Sequence, residues 1–391
     1  MASPAPPPAP TAEFDALSVS VSGTAAAAAA AAASPRSVQF DAAKNALSVT
    51  IAASGAAGSV PLTRGLLHNL TVETKNRFTL FPVEHPNIHD FYKQAQSVLW
   101  TVEEVPLDVD IVQWKERLSE NDRYFISRVL AFFAGSDGIV NENLAVRFYK
   151  DLPKAEFRQF YATQMYHEAV HNEMYSVLID ALISGAEEKA MLLDAVNQVD
   201  SIKRKADWTL RWIQDESAPF DQRLIAFAIV EGVFFSGSFC SIFWLRQRGL
   251  MPGLCLSNEL ISRDEAMHTL FAVQVHVHEL DREFRSSQEV VHAMVREAVD
   301  LEVEFITEAI PCDLIGLKAD DMAKYIRFVA DRLLVQLDYD KIYEVGNPFD
   351  FMERTAYEGK SNFFEKRNSN YAKPTASASA AIAIDTENVD F

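Results

Sequence analysis

The 22 residues from Leu224 to Leu245 carry a single charged side chain, Glu231, near their middle. A run of that length can be a membrane span or the central helix of a buried core. A carboxylate in mid-bilayer is costly, and the chain has no second run of this kind. The segment is therefore read as a core helix of a protein without membrane contact. That reading raises a second question. A lone carboxylate inside AIVEGVFFSG costs several kcal/mol to bury unless a cation faces it.

Acids recur on other apolar helices. In QMYHEAVHNEMYSVLID, residues 164–180, Glu168 and His171 stand three apart and share one helix face, with Tyr175 one turn further on. SRDEAMH repeats the spacing with Glu265 and His268. Asp137 sits in the nearly all-apolar middle of another helical stretch. Glu168 follows Asp137 by 31 positions and Glu265 follows Glu231 by 34, so the unit "acid on one helix, E-x-x-H on the next" occurs twice. Folded antiparallel, the two units bring six ligands to a bundle centre. Four carboxylates and two imidazoles suit two octahedral transition ions that bind dioxygen, above all iron or manganese. Zinc fits poorly, because no cysteine is placed to bind it and the carboxylates are too many. Any one of these acids could be a protonated or salt-bridged core group; the recurrence is what points to metal.

Phe235 and Phe239 fall one and two turns beyond Glu231, and Ile261 one turn before Glu265. They could seal a reactive site from water, or simply fill a core. A phenol beside a redox-active pair of ions, as Tyr175 would be, can lose one electron; it can equally be a plain core tyrosine.

Helical periodicity extends over 88–100, 108–118, 120–152 (with Ser119 as cap and Asp122 in the capping-box position), 156–184, 187–215, 220–249, 257–282, 288–310 and 319–337. Only 14 glycines occur and strand-like alternation is nearly absent, so the fold class is all-α. Residues 1–75 are rich in Pro, Ala and Ser, with nine consecutive alanines from Ala25 to Ala33, and read as a disordered arm. Residues 76–355 form the helical domain. Residues 356–391 read as a flexible tail, which by its composition alone only frays. The net charge of −19 argues against a nucleic-acid surface. Cys240, Cys255 and Cys312 form no C-x-x-C pair and read as reduced, packed thiols. The first basic residue is Arg36, so no signal peptide is expected and the compartment is read as cytoplasmic.

At these residues the chain resembles the small, radical-generating subunit of class I ribonucleotide reductase, of the eukaryotic and viral type. The likeness runs from about Phe78 to Phe391. Its landmarks are W-T-x-E-E-V at Trp100, S-D-G-I-V at Asp137, E-x-x-H-x-E-M-Y-S at Glu168, E-G-x-F-F-S-G-S-F at Glu231, S-R-D-E-x-x-H at Glu265 and N-P-F-D-F-M-E at Asn347. The resemblance implies a ferritin-like helical bundle with additional helices and flexible tails. It implies Asp137, Glu168, His171, Glu231, Glu265 and His268 as ligands to two irons per chain, with manganese not excluded. Tyr175 would hold the stable tyrosyl radical, and Phe235, Phe239 and Ile261 its protective pocket. Trp100 and Asp264 match the path that carries the radical out past His171, and Tyr371 the last tyrosine before the subunit interface. The tail ending at Phe391 would dock on a large catalytic subunit that reduces ribonucleoside diphosphates, and the small subunit would be a homodimer.

Three features depart from that family. The Pro/Ala-rich arm is not part of its common core. His167, directly before Glu168, is not a familiar motif member and points about 100° from Glu168 on a helix, so it is not counted as a ligand. The last residues share only Asp390-Phe391 with the family. Two other readings use the same ligands: a ferritin-like oxidase or desaturase, and an iron-binding bundle. Trp100, Tyr175, Asp264 and Tyr371 speak against the first, and a sealed aromatic pocket against the second.

Overall fold

Helices start and stop where local chemistry and packing partners tell them to. The computed structural model describes the strands at 36–41, 46–53 and 56–61 by their backbone, and residues 70, 77, 79–215, 217–309 and 317–352. The chain divides into two units, Met1–Arg64 and Gly65–Phe391.

In the second unit α1 spans Pro86–Ser97 and α2 Asp108–Glu116. Helix α3, Glu120–Asn143, opens on the expected capping box: the Ser119 hydroxyl accepts from the Asp122 amide, and the Asp122 carboxylate accepts from the Ser119 amide at 3.0 Å. Arg248 grips the same carboxylate at 2.9 Å, which ties the head of α3 to a distant turn. After α3 the chain passes through a π-helical turn, Leu144–Phe148, and stops before Pro153. Helix α4, Ala155–Leu182, then turns back along α3.

The expected single helix over 187–215 is instead α5, Ala186–Leu193, a short turn at Ala195–Gln198, and α6, Asp200–Gln214. The break has a local cause. The Asp194 carboxylate accepts from the side chains of Asn197, at 2.7 Å, and Gln198, at 2.9 Å, and so closes a turn that competes with the helix.

The apolar run forms α7, Phe220–Ile229, a π-helical turn at Val230–Phe234, and α8, Ser236–Gln247. It is long and apolar enough to cross a membrane, yet 94% of its most apolar window is buried inside the fold. Helix α9, Pro252–Gln274, starts five residues earlier than its periodicity suggests. Asp110 on α2 accepts from the amides of Gly253 and Leu254, both at 2.8 Å, so the cap comes from another helix. A π-helical turn at Val275–Glu279 ends it, and α10, Gln288–Ala309, and α11, Ala319–Gln336, complete the unit.

Helices α3, α4, α9 and the α7–α8 run surround a core dense in phenylalanine, to which each fully buried ring contributes about 1.5–3 kcal/mol. The elements described in this unit are helical with no strand among them, as expected. Cys240 and Cys255 are free and buried, and burial pushes the Cys255 thiol up to about 12, which leaves it inert at neutral pH. Cys312 lies outside the described residues.

Within the first unit three strands are described. Strands β1, Arg36–Asp41, β2, Ala46–Ala53, and β3, Ala56–Pro61, form an antiparallel meander in the order β1-β2-β3. Val38 pairs with Val49 and Phe40 with Leu47, and Val49 pairs with Val60 across the other edge. The cause is a period-two pattern, Val38/Phe40 and Leu47/Val49/Ile51, that the composition of the whole segment hides. The tail expected over 356–391, with Tyr371 and Phe391, lies outside the described residues.

Candidate metal centre

Each acid is delivered by a different segment. Asp137 comes from α3, Glu168 and His171 from α4, Glu231 from the π-helical turn between α7 and α8, and Glu265 and His268 from α9. A π turn of this kind widens the helix by one residue and is frequent at functional sites. All six side chains are buried, with residue exposures of 0–3%.

The structure brings the six together. Glu168, Glu231, Glu265 and His268 offer ligand atoms that all lie within 4.8 Å of one another, and so do Asp137, Glu168 and His171. Both imidazoles present Nδ1 to the carboxylates. His171 Nδ1 lies 3.7 Å from Glu168 Oε2 and 2.9 Å from Glu265 Oε1. His268 Nδ1 lies 3.1 Å from Glu168 Oε1, 3.4 Å from Glu265 Oε2 and 3.9 Å from Glu231 Oε1. Glu168 and Glu265 thus each turn one oxygen toward either histidine, the disposition of two bridging carboxylates.

Close as they are, these atoms do not satisfy one another. Asp137 Oδ2, both oxygens of Glu168 and of Glu265, Glu231 Oε2 and the Nδ1 atoms of His171 and His268 lack hydrogen bonds. Among the described residues no lysine or arginine pairs with any of the four acids. Burial and the Glu168 charge hold Asp137 well above the ordinary carboxylate range, and burial and the Glu265 charge do the same to Glu231. Burial acts on Glu168 too, but the imidazoles of His171 and His268 outweigh it and bring that carboxyl down to about 2. His268 is lifted against its burial to about 9 by Glu168 and Glu265. A buried, carboxylate-rich set with two inward imidazoles and, among the described residues, no cationic side chain beside it is what a pair of divalent ions satisfies.

Around the centre, Gln164 donates to Glu231 Oε1 at 2.8 Å. Asp264 Oδ2 accepts from the Trp100 indole at 2.8 Å and lies 3.2 Å from His171 Nε2, and the Trp100 and His171 rings stack with centroids 6.1 Å apart. Burial opposes charge on Asp264, but His171 and Arg263 hold its carboxyl well below the usual range. Tyr175 is buried at 1% exposure, and its hydroxyl has no hydrogen-bond partner. Burial, with Asp137 next, pushes that phenol far above its ordinary value, so it stays protonated.

Phe235 and Phe239 pack against Phe133, which in turn stacks on Tyr175. Ile261 is buried on α9 at 1% exposure. Phe133 was not singled out in the sequence, although it stands one turn before Asp137 and so on the same face. His167, set aside on helical phase, is nevertheless buried here. Its Nδ1 lies 3.0 Å from His268 Nε2, and burial pulls its imidazole down to about 4. Tyr371 lies outside the described residues.

The family described as "Ribonucleotide reductase, small chain" matches residues 77–348. The ribonucleoside-diphosphate reductase subunit M2 of Homo sapiens is 50% identical over 319 residues, which cover 82% of this chain and 81% of that protein. The ribonucleoside-diphosphate reductase small chain of Vaccinia virus is 52% identical over 298 residues, 76% of this chain and 92% of that one. Among solved structures, the ribonucleotide reductase Rnr4 homodimer from Saccharomyces cerevisiae is similar with a TM-score of 0.67 at 31% identity, covering 75% of this chain and 93% of the other.

Proposed function

This chain belongs to the small-chain family of ribonucleotide reductase, and we propose that within the enzyme it generates and exports a radical seated on Tyr175. One observation carries the reading: four buried carboxylates and two imidazoles share one locus, and the phenol whose titration they perturb is sealed under stacked rings.

Glu168 and Glu265 would bridge two ions, Asp137 and His171 would complete one coordination shell, and Glu231 and His268 the other. Bound there, two iron ions, or manganese in their place, would supply dioxygen activation and the one-electron oxidation of the neighbouring phenol. Gln164 holds Glu231 in place through its 2.8 Å hydrogen bond. When Tyr175 loses an electron its hydroxyl must also lose a proton. The surrounding Phe133, Phe235 and Phe239 exclude water from the radical.

The exit runs through Asp264. One of its oxygens joins the Trp100 indole to the outer nitrogen of His171, which makes a continuous polar contact from the centre to Trp100. A self-contained oxidase has no need of such a conduit, and this favours export over local oxidation. The hole would then pass by way of the tail, with Tyr371, to a large subunit that reduces ribonucleoside diphosphates to deoxyribonucleoside diphosphates. The tail end at Phe391 would do the docking. The chain would work as a homodimer in the cytoplasm.

Electron paramagnetic resonance on the metal-free chain given ferrous iron and air tests this. A tyrosyl doublet absent from Tyr175→Phe, with about two irons bound in both proteins, is expected. A doublet that persists in Tyr175→Phe, or two irons with no radical in the parent chain, overturns the radical assignment.

A further inference from the structure

The two imidazoles of the centre are backed by different groups. His171 turns Nε2 to the carboxylate of Asp264, at 3.2 Å. His268 turns Nε2 to another imidazole, His167 Nδ1, at 3.0 Å. The rings of His167 and His268 lie 5.3 Å apart and within 22° of parallel, and the His167 ring is also stacked near His171 at 6.3 Å.

We propose that His167 is a positioning residue that acts through His268, fixing its tautomer and making the two halves of the metal centre unequal in donor strength. The proposal rests on the two-ion reading of the six ligands. His268 directs Nδ1 at Glu168, Glu231 and Glu265. An imidazole that binds a cation through Nδ1 must keep that nitrogen unprotonated, so its single proton sits on Nε2. That proton points at His167 Nδ1, which must then accept, and the proton of His167 falls on its own Nε2. This second nitrogen is buried without a hydrogen-bond partner. A hydrocarbon side chain at 167 would avoid that cost, so the imidazole is explained by the bond its other nitrogen accepts.

The outer partner of a metal-bound histidine sets both its orientation and its basicity. A carboxylate partner pulls the imidazole proton toward itself and strengthens the inward nitrogen. A neutral imidazole partner does so less. The half centred on His171, with Asp137, therefore holds its ion more tightly than the half centred on His268, with Glu231, and loading is stepwise.

The test is anaerobic titration of the full-length, metal-free chain with Mn(II) alone, followed by electron paramagnetic resonance of free and bound ion. Two unequal affinities are expected in the parent chain. His167→Phe keeps a ring to stack but removes the acceptor; it is expected to weaken the weaker site 10–100-fold, the range typical for loss of such a partner, and to leave the tighter site within about two-fold. His167→Asn, whose carbonyl oxygen stands about where Nδ1 does, is expected to recover most of the loss. If His167→Phe fails to fold by circular dichroism, His167→Leu takes its place in the same comparison. Unchanged affinities in the acceptor-free variant, or equal weakening of both sites with no recovery in His167→Asn, overturn the role of His167. Absence of any tight Mn(II) site in the parent chain overturns the two-ion reading itself, and the proposal with it.

Discussion

The ring of Phe133 lies 4.5 Å from the ring of Tyr175 and within 4° of parallel. Both rings are buried, and Phe235 and Phe239 close on Phe133 from the α7–α8 side at 5.4 and 4.9 Å. The helix that supplies Asp137 thus also supplies the lid over the phenol, one turn earlier.

Phe133→Ala removes that lid. Truncating a buried phenylalanine costs about 3–5 kcal/mol in a core that relaxes only partly. The expected outcome is a protein that still folds and binds metal but whose tyrosyl signal decays at least ten-fold faster. Denaturant unfolding measures the first effect and the decay of the paramagnetic doublet the second. A normal radical lifetime in Phe133→Ala rules out the sealing role.

Lys205 and Glu302 form an ion pair that is buried on both sides, at 1% and 0% exposure. Lys205 Nζ also donates to the Phe234 carbonyl at 2.9 Å and lies 3.3 Å from the centroid of Phe132. A Cβ at Gly237 would stand 2.6 Å from Glu302 Oε1, so only a glycine fits beside that carboxylate. The pair therefore serves the Phe234 carbonyl, next to the break between the π turn and α8. Lys205→Met leaves Glu302 buried and unpaired and is expected to cost about 3–5 kcal/mol. The double variant Lys205→Met/Glu302→Gln should cost clearly less than the sum of the two single changes. Urea midpoints measure both, and additivity in that cycle would show that the two side chains do not act as a pair.

Burial, helped by the positive charge of Arg285, pulls the His276 imidazole down to about 4. The folded state thus keeps it neutral, while the unfolded chain titrates near the ordinary 6.5. Above pH 6.5 the difference contributes fully to stability. As pH falls from 6.5 toward 4 the unfolded state takes up the proton first, and stability drops by roughly 3 kcal/mol across that window. His276→Gln is expected to flatten this acid limb. Unfolding free energies at pH 7.5 and 5 measure it, and the same drop in the parent and variant proteins would acquit His276.

Much of the site is legible in the chain because its rules are local. Glu168 and His171, or Glu265 and His268, share a face by spacing alone, and Glu231 announces itself as a lone charge in an apolar run. Capping by Ser119 and Asp122 is equally local and occurs where expected. The start of α9 is not, because its cap is Asp110, more than 140 positions away. The strands at 36–61 escaped for a different reason: a short alternating pattern was outweighed by the alanine and proline around it.

Local spacing is enough for most of the helices, for the six acid and imidazole candidates, and for Tyr175 as the phenol on their face. Spacing along a helix converts directly into direction, so no distant partner had to be known. Packing between distant helices is what makes Glu168 and Glu265 each face both histidines, sets Phe133 over Tyr175, and puts His167 behind His268 across 101 positions. Helical phase at His167 says that it points away from Glu168; it cannot say what another helix has placed in that direction.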